Sequence, residues 1–337
     1  MADPNNDYTY DALYRLIKCE GREHAGSNAA VSYKDSTRIG KNPLPTDASA
    51  MRRYAQYYKY DGVGNMLQIK HTTTGGTGNW TRNFVISGTT NRLTESSIGS
   101  NGTGTESYDY DNRGNMVDGM NHLLSMTYNE ENRLEQVEIN SSQTACYQYD
   151  HDGQRVRKVI TNTSAAISQV RKYVGNWEAY QKIDTATNTV VLKRETLHVE
   201  DDHKRIALID TPTVDTLSTG EAQILRYQHS NNINTASLEL DENAAVITYE
   251  EFYPYGNTSF QGGRSVAECS LKRYRYTGKE RDEETGLNYH GARYYAPWLA
   301  RWTATEPRNS ELFHFLNTKE NKEKDEGAEQ HFIELTA

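Results

Sequence analysis

The chain has 337 residues, of which 35% are hydrophobic and 25% charged, and it carries a formal net charge of −9. That charge excludes the basic stripe of a nucleic-acid binder, and no run of about 18 apolar residues offers a membrane segment. Three scattered cysteines, Cys19, Cys146 and Cys269, fit neither a disulfide framework nor a spaced metal site and read as reduced structural thiols. Tyrosine outnumbers phenylalanine by 24 to 6, which suits half-buried sheet faces where the ring packs and the hydroxyl finds a partner.

Residues 1–23 open with YTYDALYRLIK from Tyr8, and no apolar signal-peptide stretch follows Met1. The same pattern returns as YKYDGVGNMLQIK from Tyr58, YDYDNRGNMVDGM from Tyr108 and YQYDHDGQRVRKV from Tyr147. Weaker copies, NRLTESSI at Asn91 and MTYNEENRLEQVEI at Met126, bring the repeat to about 20 residues. Each copy predicts a β-hairpin. Tyr-x-Tyr has the period of a strand, the Asp/Asn/Gly run forms a tight turn, and a hydrophobic alternation returns. Tyr10-Asp11, Tyr60-Asp61, Tyr110-Asp111 and Tyr149-Asp150 are therefore the expected repeat framework, the tyrosines as equivalent buried rungs and the aspartates as turn caps.

Between these copies, residues 24–56 read as an irregular insertion with a short helix at its end, and 57–190 as the main repeat strip. Within that strip, HTTTGGTGNW (71–80) is a loop. Residues 191–271 continue the strip, with a further loop over 210–223. HVEDDHKR (198–205) lacks the glutamate that a zincin-type metal site needs, so no metal and no cofactor is expected. Residues 272–307 are dense in aromatic and charged side chains. Residues 308–337 lose tyrosine and suggest a short amphipathic helix around Leu312, Phe315 and Leu316, followed by a polar run.

The tyrosine-aspartate repeats, together with LKRETLHVEDDHKRIALIDT, LRYQHSNNINTASLELDENAAVITYEEFYPYGNTSF and YTGKERDEETGLNYHGARYYAPWLARW, resemble the RHS/YD-repeat family with its RHS repeat-associated core domain. The likeness is nearest to C subunits of bacterial insecticidal toxin complexes, and it runs from about Tyr8 to Pro307. It implies an all-β fold: stacked YD hairpins forming part of a spiralling hollow shell, with the core domain as a plug. It implies a structural shell segment that encapsulates a C-terminal toxin cargo, partnered by a B-type subunit or an upstream RHS segment and secreted as part of a toxin complex.

The resemblance also implies self-cleavage by two acids. Asp282, beside Arg281, matches the first position. The second, an aspartate before proline in the family, is Glu306 here, and the junction falls at Pro307–Arg308. The longer glutamate and the missing glycine after the junction depart from the family pattern. An active aspartyl autoprotease cutting near Pro307 is therefore one alternative reading, and a carbohydrate-binding module using exposed aromatic rings is another. Without the resemblance, residues 281–284 read as a solvated turn in which Asp282 pairs with Arg293 or Lys279.

Overall fold

The computed structural model describes residues 2–34, 51–99, 103–202, 204–217 and 223–306. Its elements are almost all antiparallel strands joined in sequence order. A seven-stranded sheet runs from β1 (Asp7–Tyr10) through β2 (Leu16–His24), β3 (Met51–Tyr60), β4 (Met66–Thr73), β5 (Trp80–Ile86) and β6 (Leu93–Ile98) to β7 (Thr103–Ser107). The two-stranded β8 (Asp109–Tyr110) and β9 (Met116–Asp118) follow. A twelve-stranded sheet then extends from β10 (Ser125–Tyr128) to β21 (Thr258–Gly263). Among the described residues, neighbouring strands in each sheet follow one another in the chain, as expected of stacked hairpins.

The repeat explains itself locally. In each unit the aspartate side chain closes its own turn: Asp61 Oδ1 accepts the amides of Val63 and Asn65 at 3.0 and 2.8 Å. Asp111 does the same for Arg113 and Asn115 at 2.9 Å each, and Asp11 for Leu13 and Arg15 at 2.9 Å each. Asn129, in a weaker copy, caps Glu131 and Arg133 identically. A register shift falls just before the second tyrosine of each unit, at Thr9/Tyr10, Lys59/Tyr60, Asp109/Tyr110 and Gln148/Tyr149. Such a bulge turns that ring along the strip, towards the preceding hairpin.

The expected rungs are therefore shifted by one tyrosine. Tyr58, Tyr108 and Tyr147, the first of each pair, are the buried rings. Tyr60, Tyr110 and Tyr149 are half-buried instead, and donate their hydroxyls to the carbonyls of Leu16, Leu93 and Leu134 at 2.8, 2.8 and 2.6 Å. Tyr10 is 53% exposed because β1 is an edge strand with no hairpin before it in the sheet.

Two other local expectations change. The last residues of the insertion, from Met51, form strand β3, and its residues 35–50 lie outside the described residues. The loop expected over 210–223 is strand as far as Asp215, where it lengthens β17 (Arg205–Asp215). Tertiary pairing with the long β16 (Thr189–Glu200) overrides the Pro and Asp signals, and Pro212 is accommodated beside a register shift.

The strip curls until its start meets its end. Arg22 on β2 donates to Glu251 on β20 (Val246–Phe252) at 2.8 Å, and the Tyr253 hydroxyl bonds Glu23. After α1 (Val266–Leu271), a four-stranded sheet of β22 (Glu280–Arg281), β23 (Asn288–Tyr289), β24 (Tyr294–Ala296) and β25 (Arg301–Trp302) packs between the two large sheets. Its Trp298 joins the same buried cluster as Tyr58, Tyr108 and Tyr147. The Thr303 carbonyl accepts the Met116 amide at 2.8 Å.

Candidate functional site in the core block

The core block brings its carboxylates inside at a strand end. Glu280 lies on the two-residue β22, Asp282 follows directly after it, and Glu284 sits in the turn over 283–285. The chain then turns back: the Gly286 amide donates to the Asp282 carbonyl at 2.7 Å, and the Asp282 amide to Leu287 at 2.8 Å. Gly286 has φ +72°, and a Cβ there would come within 2.4 Å of the Tyr33 carbonyl, so glycine is required.

The facing cations come from the long sheet. On β13 (Arg155–Asn162), Arg155 Nη1 donates to Asp282 at 2.6 Å and Nη2 to Glu280 at 2.7 Å, with the guanidinium 4.3 Å from the Tyr289 ring centre. Lys158 Nζ lies 2.6 Å from Asp282, 3.3 Å from Glu284 and 3.6 Å from Glu280. Glu280 further accepts from Arg273 at 3.0 Å and from the Tyr173 hydroxyl at 2.9 Å. A second hub, Glu178, accepts from Arg171, Arg273 and His198 at 3.0, 2.8 and 2.7 Å, and from Tyr274.

Burial opposes ionisation of Glu280 and Glu178, yet the surrounding cations overrule it. Lys158, Arg155 and Arg273 hold Glu280 well below the usual carboxylate range, and Arg273, with His198 and Arg171, does the same for Glu178. Glu284 goes the other way. Burial raises it despite Lys158, and the Asp282 charge adds to the rise. Glu284 is thus the carboxyl that holds a proton most readily beside Asp282, while both Asp282 oxygens are occupied by fixed cations.

The expected site residues occupy unlike surroundings. Asp282 is 0% exposed, and Arg281 is buried with its guanidinium donating to the Tyr33 carbonyl at 2.8 Å. Glu306 is 77% exposed at its side chain and meets Arg293 at 3.6 Å. Pro307 and Arg308, and the helix expected beyond them, lie outside the described residues. The solvated-turn reading of 281–284 is corrected for Asp282, whose partners are Arg155 and Lys158 and not Arg293 or Lys279; Glu283 alone is exposed, paired with Arg275 at 3.1 Å.

Among the described residues no group of three or more potential ligands forms a metal site. His198 spends its ring on Glu178 and Arg205. The three cysteines are free thiols, and burial pushes Cys19 and Cys269 up to about 11.

Sequence reasoning missed Glu280, Glu284, Glu178, Arg155, Lys158 and Arg273. The alternation Glu280-x-Asp282-x-Glu284 was visible in the sequence, but strand period does not explain their meeting, because the strand ends at Arg281 and Glu284 lies in the turn that follows. Nothing in RVRKV marks which of its cations turn inward.

No family model matches the chain. Toxin subunit YenC1 of Yersinia entomophaga is 32% identical over 330 residues, 90% of this chain and 31% of that protein. The solved TcdB2-TccC3 complex without its hypervariable C-terminal region superposes with a TM-score of 0.76 at 28% identity, over 90% of this chain and 14% of that one. The Photorhabdus luminescens Tc holotoxin pore with a TccC3 mutation gives the same TM-score, identity and shares. The chain spans about a third of the length of the curated relatives it matches.

Proposed function

Taking as premise that the chain is a TccC-like RHS/YD-repeat protein, all-β and akin to one stretch of toxin-complex C subunits, we propose that it is the closing segment of a hollow shell. In this reading its partner is a B-type subunit or an upstream RHS segment, it encloses a C-terminal toxin cargo, and it is secreted within a toxin complex. No helix among the described residues is long and apolar enough to cross a membrane.

The observation that carries this reading is the buried lock between β13 and the core block, where Asp282 and Glu280 are held by Arg155 and Lys158. A network of that kind fixes a plug rigidly against a wall. The open edge at β1 supports the partner: Tyr8 and Tyr10 are exposed there, on a strand with free hydrogen-bonding groups. A further YD hairpin would cover both rings, so they speak for strand addition before sugar binding.

Self-cleavage near Pro307 requires Asp282 and Glu306 to act on one bond. Their partners in this structure differ entirely, and that favours the structural reading. Co-expression with a toxin-complex B subunit and size-exclusion chromatography tests the proposal: co-elution that is lost in Thr9→Pro supports it, and separate elution of two folded proteins contradicts it. Intact mass of the purified chain decides the cleavage question in parallel.

A further inference from the structure

A cavity of about 570 Å³ lies at the seam between the YD turns and the end of the core block. The repeat supplies two arginines to it. Arg92 stacks on Tyr110, 5.4 Å from the ring centre, as Arg15 does on Tyr60, and donates to the Asp111 carbonyl at 3.3 Å; Arg113 donates to the Asn129 carbonyl at 3.0 Å. The core block adds two more. Arg301 donates to the Asn91 carbonyl at 3.0 Å, and Arg293 stacks 4.4 Å from the Trp302 ring centre.

The anionic side of this seam is thin. Among the described residues, the carboxylates within ion-pair distance of the four are Asp111, 3.7 Å from Arg113, and the exposed Glu306, 3.6 Å from Arg293. Asp111 already caps its own turn. Arg92 and Arg301 spend their hydrogen bonds on neutral oxygens, and burial lowers the proton affinity of Arg301. Four arginines lining one cavity with so little opposing charge are costly when it is empty and favourable around an oxyanion.

We propose that this cavity is an oxyanion-binding site that takes a carboxylate or phosphate group between Arg92, Arg113, Arg293 and Arg301. Calorimetric titration of inorganic phosphate into the full chain at low salt is expected to give saturable binding. Arg113→Gln, a partly exposed change, weakens it about tenfold or more, Arg92→Gln with Arg301→Gln abolishes it, and Arg53→Gln outside the cavity leaves it unchanged. The acidic side chains Asp325, Glu326 and Glu329 of the chain itself carry the same chemistry. The titration is therefore repeated with these three changed to amides. Binding seen only in that variant supports the site and identifies the chain's own carboxylates as its occupant. Absence of binding in both proteins, or binding indifferent to Arg113→Gln, overturns the proposal.

Discussion

Tyr147 and Tyr149 stand two residues apart and do different work. Tyr147 is 2% exposed and fills the core, so Tyr147→Ala is expected to cost about 3–5 kcal/mol in urea denaturation. Tyr149 satisfies the Leu134 carbonyl and its hydroxyl also lies 3.3 Å from that of Tyr294, so Tyr149→Phe should cost about 1–2 kcal/mol, the worth of one or two hydrogen bonds. The charged residues are more sensitive. Lys158→Met leaves Asp282 and Glu284 without their shared cation, and a loss of about 3–5 kcal/mol is expected. The same network sets a pH dependence. Glu280 and Glu178 are held below their ordinary value of 4.5, so their contribution is complete above that pH and is lost as pH falls through their depressed values. Glu284 is raised, so its contribution is complete below 4.5 and is lost as pH rises through its elevated value. Urea midpoints should therefore fall on acidification below about pH 4.5, less steeply in Glu280→Gln; a slope unchanged by that substitution would show that the network does not govern acid stability.

Each hairpin depends on the oxygen that closes its turn. Asp111→Ala removes acceptors for two amides and should lower the unfolding midpoint, by about 1–2 kcal/mol in stability. Asp111→Asn should cost much less, because Asn129 caps the equivalent turn with the same geometry. Thermal denaturation of the two variants checks this, and equal losses would mean that charge rather than the acceptor oxygen matters. The turn aspartates were legible in the sequence because turn capping is local chemistry within five residues. The identity of the buried tyrosine was not. It depends on the bulge before each second ring, which slips the register and turns that ring onto the neighbouring hairpin.

For the whole molecule, the lock and the surface position of Glu306 lead to the expectation that the purified chain keeps its full 38.3 kDa, read by intact mass. A fragment ending near Pro307 that disappears in Asp282→Asn would establish self-cleavage. The sequence by itself determined that this protein is a strip of about 20-residue antiparallel hairpins, since strand period and turn residues act over a few positions and repeat along the chain. It also marked residues 272–307 as the distinctive block, by their density of rings and charges. Only the tertiary structure decided what that block touches. Arg155 and Asp282 are 127 residues apart, and Tyr253 and Glu23 are 230 apart. Which inward-facing side chains meet depends on how many hairpins the strip stacks before it curls back, and that curvature accumulates over the whole sheet, beyond the reach of any local pattern.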